Sequence, residues 1–140
     1  MKVLIDLNVI LDVLLKREPH YADSAAVLAL AERRSIDALI CAASVDTLYF
    51  LLRRETSAAD AREHLGTVLS MLAVADVTAD CVHTAVNSGW PDLEDAIVYE
   101  SARHAGVEAL ITCNQTDFRR GDLLLLSPTE LLALTRSQAQ

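Results

Sequence analysis

Glycine (4 residues) and proline (3) are scarce in this 140-residue chain, and charged residues stand at 23%. That composition excludes a disordered or linker-rich protein. Cysteine occurs three times, at Cys41, Cys81 and Cys113. An odd number at wide spacing builds neither a disulfide framework nor a zinc site, so these read as buried thiols in a reducing compartment. No apolar run approaches the roughly 18 residues of a membrane span. Asp6 interrupts the short apolar start at Val3-Leu4-Ile5, so no signal peptide is expected. The expectation is a soluble, cytoplasmic protein with no membrane association. There is no internal repeat, no Ser-His-Asp order, no phosphate-cradling glycine loop and no cofactor fingerprint. Positive charge is also short. The net charge is −8, which argues against tight nonspecific coating of nucleic acid. It permits a concentrated acidic pocket that a cation could neutralise.

What the chain has in quantity is apolar residues, at 52%, enough for a substantial core. They fall into short runs separated by helical stretches. Lys2 to Ile5 (KVLI), Ile36 to Ala42, Val74 to Val77, Glu108 to Thr112 and Leu123 to Leu126 (LLLL) read as strands. Helices are expected at Val9 to Lys16 with Asn8 as cap, Tyr21 to Arg33, Val45 to Arg54 with Ser44 as cap, Ser57 to Ala73, Ala79 to Asn87, Asp92 to His104 and Thr129 to Arg136. Gly106 supplies a helix stop. Continuous apolar strands alternating with helices predict a three-layer α/β/α sandwich. Its centre is a parallel sheet of four to five strands, and residues 1–140 form one domain. In such open sheets ligands bind beyond the carboxyl ends of the strands.

Three carboxylates fall where that crevice is expected. Asp6 directly follows the first strand, and an Asx-type turn beside Asn8 is the plainer reading of it. Asp95 lies in Pro91-Asp92-Leu93-Glu94-Asp95-Ala96, where Asp92 and Asp95 also resemble a capping box. Three acids in four residues exceed what capping needs. Asp117 follows the fourth long strand in Thr112-Cys113-Asn114-Gln115-Thr116-Asp117-Phe118, where a polar turn is the alternative. Carboxylates brought together repel, so they require protonation or a cation. Hard oxygen donors of this kind suit Mg²⁺ or Mn²⁺.

At these residues the chain resembles a known family. Asp6-Leu7-Asn8-Val9-Ile10-Leu11-Asp12 is similar to the opening D-T-N-V-hydrophobic-hydrophobic-D of PIN-domain proteins, particularly VapC-type toxin ribonucleases. Asp92-Leu93-Glu94-Asp95-Ala96 resembles the family's second acidic segment, and Thr112 to Phe118 its T-x-[ND]-x-x-D-F segment. The order and spacing match over nearly the whole chain. The resemblance implies metal-dependent endonucleolytic cleavage of single-stranded RNA by metal-activated water. Asp6, Asp95 and Asp117 would be the catalytic and metal-holding residues. Asn8 and Thr112 would orient the carboxylates, Asn114 would share the role of Asp117, and Asp92 would support the helix start. A small antitoxin protein and a homodimer are the partners it implies.

Two positions depart from the family pattern. Leu7 stands where a Thr is usual and cannot donate a hydrogen bond. Thr47 stands where a Glu is usual, with Asp46 one residue away, about 100° around a helix. Asp46 is also an ordinary acid for a helix's first turn. A catalytically weak or inactive PIN module that binds RNA or protein is therefore the alternative function. A phosphoaspartate receiver is disfavoured, because Lys2 and Lys16 are the only lysines and neither follows a late strand.

Three dibasic pairs, Lys16-Arg17, Arg53-Arg54 and Arg119-Arg120, read either as solvated helix ends or as phosphate contacts. Arg119 and Arg120, beside Asp117, are the best RNA contacts. Trp90 is the best base-stacking candidate. Tyr49 and Phe50 read as core or dimer contacts, and the four histidines show no ligand spacing.

Overall fold

The computed structural model describes residues 1–119 and 121–139. Five strands, β1 (Lys2–Ile5), β2 (Asp37–Cys41), β3 (Ala73–Ala75), β4 (Ala109–Ile111) and β5 (Leu124–Leu126), form one sheet in the order β3-β2-β1-β4-β5. Every pairing is parallel. Helices α1 (Leu7–Leu14), α2 (Tyr21–Glu32), α3 (Ala42–Glu55), α4 (Ala58–Met71), α5 (Ala79–Val86), α6 (Leu93–Ala105) and α7 (Pro128–Gln138) connect the strands and close the chain. A 3-10 turn, Gln115–Phe118, lies between β4 and β5. This is the expected α/β/α sandwich, with all five expected strands present.

The two layers follow from the two-residue period of a strand. Val3 and Ile5 face one core with Val9, Ile10, Val27, Leu48, Leu52, Val68 and Leu131, so α1 to α4 and α7 cover that face. Leu4 faces the other with Val98, Tyr99, Ala102 and Phe118, so α6 covers the opposite face. Both faces of β1 are sealed, which is why KVLI reads as an unbroken apolar run.

The chain lays down β1, β2 and β3 outward in one direction, then returns to place β4 on the other side of β1. The strand order reverses between β1 and β4. The crevice above a parallel sheet opens at such a reversal. The Asp6 amide donates to the Ile111 carbonyl at 2.9 Å and carries the β1–β4 ladder to the lip of that crevice.

Two helix starts differ from the sequence expectation. Helix α1 begins at Leu7, directly after Asp6, so Asn8 is within its first turn and does not cap it. Helix α3 begins at Ala42, directly after Cys41, and Ser44 is buried inside its first turn. In both places the chain turns from strand into helix with no intervening loop. A small polar residue near the start therefore does not mark the boundary in either place. Asp92, Ser57 and Ser127 are true caps, each accepting a backbone amide three residues on. Gly106 ends α6 at φ 71°, a left-handed conformation that favours glycine.

Candidate functional site

A cleft of 230 Å³ lies at the β1–β4 reversal, walled by Asp6, Asn8, Ser44, Glu94, Asp95 and Asp117 together with Leu7, Asp92 and Val98. The fold thus gathers all three of the acids singled out in the sequence. Asp6 arrives from the end of β1, Asp95 from the first turn of α6, and Asp117 from the 3-10 turn after β4.

Asp6 is 7% exposed. Thr112 Oγ1 donates to Asp6 Oδ2 at 2.9 Å and accepts the Asn114 amide at 2.9 Å. The Thr hydroxyl therefore ties the carboxylate to the next strand and orders the following turn. Asp92 accepts the Asp95 amide at 2.9 Å, fixing the helix start from which Asp95 projects.

The electrostatics follow from burial and crowding. Burial pushes Asp6 up to about 6, with Asp117 and Glu94 adding repulsion; the Thr112 and Leu7 hydrogen bonds pull the other way. Burial also raises Asp95, to about 7, and Asp92, Asp6, Asp117 and Glu94 all raise it further. At mildly acidic pH both carboxylates keep protons that a cation would displace.

The donor set fits a divalent ion. The donors are hard carboxylate oxygens. Glu94 Oε1 is buried without a hydrogen-bond partner, an arrangement that is costly unless something supplies positive charge or a proton. Among the described residues, no three His, Cys, Asp or Glu groups are drawn together as a ready-made cage. Such a set suits an ion that keeps several waters and takes one or two carboxylates directly, as Mg²⁺ does. Asp6 and Asp95 are the residues that could hold it.

Other expected residues lie elsewhere. Asp46 borders a hollow with Val45, Tyr49, Arg62 and Leu65, and a second with Thr47, Phe50 and Arg53. Neither Asp46 nor Thr47 is in the wall of the acidic cleft; Ser44 is the α3 side chain there. The physical reason is the early start of α3, which turns Ser44 toward the sheet end. Asn114 is exposed beside Asp117, and its amide rather than its side chain makes the Thr112 contact. Arg119 is exposed at the end of the 3-10 turn, and Arg120 lies outside the described residues. Arg17 is committed to Asp12 at 2.9 Å, which accounts for the last acid of the opening motif. Trp90 packs on Tyr99 and Phe118, with ring centroids 5.0 and 6.2 Å away, and is not a free stacking platform.

Glu94 and Ser44 are the cleft residues missed as site residues in the sequence. Glu94 stands in the acid run at the start of α6, and Ser44 is the residue expected to cap α3. The signal for Glu94 was the third acid in a four-residue run.

A parallel α/β/α fold with acids at the strand-order reversal defines the class of molecule. The chain belongs to the PIN domain family, whose model matches residues 2–116. Solved structures agree on the fold. One is a chain of VapBC2 from Rickettsia felis, solved bound to a DNA fragment from their promoter, at TM-score 0.69 and 18% identity, covering 91% of this chain and 98% of that one. A toxin–antitoxin complex from Klebsiella pneumoniae gives 0.67 at 20% identity, covering 90% and 97%. VapBC-1 from nontypeable Haemophilus influenzae gives 0.67 at 18%, covering 92% and 99%. No curated protein sequence matches the chain significantly. No described helix is long and apolar enough to cross a membrane.

Proposed function

We propose that this PIN domain, spanning the whole chain, is a Mg²⁺- or Mn²⁺-dependent endoribonuclease that cleaves single-stranded RNA. The observation that carries the reading is the shared cleft of Asp6 and Asp95, two carboxylates whose acidities are both displaced toward neutrality. Asp6 and Asp95 hold the ion, and Asp117 completes the negative wall. Thr112 and Asn8 keep the carboxylates oriented, and Asp92 holds the helix start. A divalent ion in this position supplies Lewis-acid charge to a phosphodiester and acidifies an attacking water. Arg119, exposed two residues after Asp117, is proposed to contact phosphates that flank the scissile bond, with Arg120, its neighbour in sequence, as the second candidate.

The similar structure from Klebsiella pneumoniae is a toxin–antitoxin complex, and this supports a toxin role with a small antitoxin as partner. A second copy of the chain is also a proposed partner, with Phe50, exposed on α3 rather than in the core, as its contact. The setting we propose is the cytoplasm.

The test is cleavage of a panel of single-stranded RNAs with Mn²⁺, with Mg²⁺ and with chelator, using Asp6→Asn and Asp95→Asn as controls. Cleavage needing metal and both carboxylates is expected. Activity that persists in chelator or in both variants sinks the mechanism. Thr47, where the family usually has Glu, favours a second reading, a non-catalytic module. Metal binding without cleavage would select it.

A further inference from the structure

The turn carrying Asp117 is four residues of 3-10 helix, a conformation with poorer hydrogen-bond geometry than an α-helix. It is anchored on both sides. Upstream, the Asn114 amide donates to Thr112 Oγ1 at 2.9 Å, and Gln115 Nε2 donates to Glu130 Oε1 at 2.7 Å. Downstream, the contacts converge on Tyr99. Its hydroxyl donates to Asp122 Oδ1 at 2.5 Å and accepts the amides of Asp122 and Leu123 at 2.5 and 3.0 Å. The ring itself is buried in the cluster that holds Phe118, the residue next to Asp117. Gly121 completes the arrangement. A Cβ there would be driven into Tyr99 Cζ, Cε2 and Oη, so the loop passes this closely over the phenol only without a side chain.

Tyr99 follows Asp95 by four residues on α6, and side chains at that spacing share one helix face. One face of one helix therefore carries the cleft carboxylate and the group that grips the segment after Asp117. The hydroxyl is not required to fill the core, because a Phe ring occupies the same space. The Asp122 carboxylate is exposed and does not depend on the hydroxyl for a partner, whereas the half-buried Leu123 amide does.

We infer that Tyr99 is a positioning residue of the acidic cleft, whose hydroxyl locks the loop behind Asp117 and so fixes the Asp117 carboxylate relative to Asp95. This rests on the reading of the cleft as a divalent-metal site. Tyr99→Phe removes three hydrogen bonds at the loop, whereas Asp122→Ala removes one and leaves the core untouched.

The experiment is calorimetric titration of Mn²⁺ into the full chain as wild type, Tyr99→Phe and Asp122→Ala, with amide exchange recorded on each. In Tyr99→Phe the Asp122 and Leu123 amides exchange faster, and the Mn²⁺ Kd rises measurably, by less than the roughly tenfold that follows loss of a group bonded directly to a metal-holding carboxylate. Asp122→Ala gives a smaller rise in the same direction, and it decides the matter should Tyr99→Phe not fold. Amides of β1 and β4 keep their protection in both. An Mn²⁺ Kd unchanged in folded Tyr99→Phe, or unchanged in Asp122→Ala where Tyr99→Phe does not fold, overturns the positioning role while leaving the cleft's function intact. Failure of the wild type to bind Mn²⁺ overturns the reading of the cleft itself, and this inference with it.

Discussion

Thr112 Oγ1 donates to Asp6 Oδ2 at 2.9 Å, joining the ends of two adjacent strands whose residues lie 106 positions apart in sequence. The bond is buried, and it stabilises the charged form of a carboxylate that burial would otherwise keep protonated. Thr112→Val keeps the shape and removes the donor. It is expected to raise the Asp6 pKa further and to lower stability by about 1–3 kcal/mol, since a buried acceptor loses its partner. Urea unfolding reads the stability. Loss of Mn²⁺ affinity by about tenfold reads the orientation of Asp6.

Stability without metal should fall as pH rises through the acidic range. Asp6 and Asp95 have folded-state pKa values near 6 and 7, above the ordinary aspartate value of 3.8. Between those limits the folded chain binds more protons than the unfolded one, so deprotonation on rising pH costs stability. The loss begins near the unfolded values and is complete once pH exceeds the folded ones. Thermal melts in chelator across this window should show a declining melting temperature from these two groups. Adding Mg²⁺ should remove most of the decline, because a cation that binds only the folded, ionised cleft stabilises it. A melting temperature insensitive to both pH and Mg²⁺ would speak against the crowded cleft.

Asp95→Asn separates stability from function. The substitution removes a charge that repels Asp6 and Asp117. In chelator near neutral pH the variant should melt at or above the wild type, by an amount corresponding to about 0.5–2 kcal/mol. The same variant should lose Mn²⁺ binding and RNA cleavage. A variant that is both unstable in chelator and metal-competent would contradict the assignment.

Arg17 offers a control outside the cleft. Its Nε lies 2.9 Å from Asp12 Oδ1, and Asp12 is 6% exposed while the Arg17 side chain is partly in solvent. Arg17→Met leaves Asp12 without its cation and is expected to cost about 1–3 kcal/mol. Mn²⁺ affinity of the folded variant should stay at the wild-type value. A matching loss of affinity would extend the site to this pair.

Much of the fold was legible because its strands are buried on both faces. KVLI and ALI are apolar at every position from Val3 to Ile5 and from Ala109 to Ile111, and burial of both faces leaves no polar alternation to confuse. Asp6 was legible as an acid directly after an apolar strand, Asp117 as one in the polar segment behind another, and Asp95 as part of an acid run at a helix start. The helix starts were less so. Cys41 occupies the cap position of α3 without a capping hydrogen bond, so the sequence offers no boundary signal, and Ser44 drew the boundary into the helix. That shift hid Ser44 from the cleft and kept Asp46 and Thr47 in consideration. Tyr99 was invisible because its partners, Gly121, Asp122 and Leu123, follow more than twenty residues later. Only the turn of the chain after β4 brings them to its hydroxyl.

The central claim is that Asp6 and Asp95 together hold a divalent cation. The direct measurement is calorimetric titration of Mn²⁺ into wild type, Asp6→Asn and Asp95→Asn at about pH 8, above the folded-state pKa of both carboxylates. Saturable binding by the wild type, lost in each variant while both remain folded, is the predicted result. Binding of equal affinity in all three proteins would contradict it.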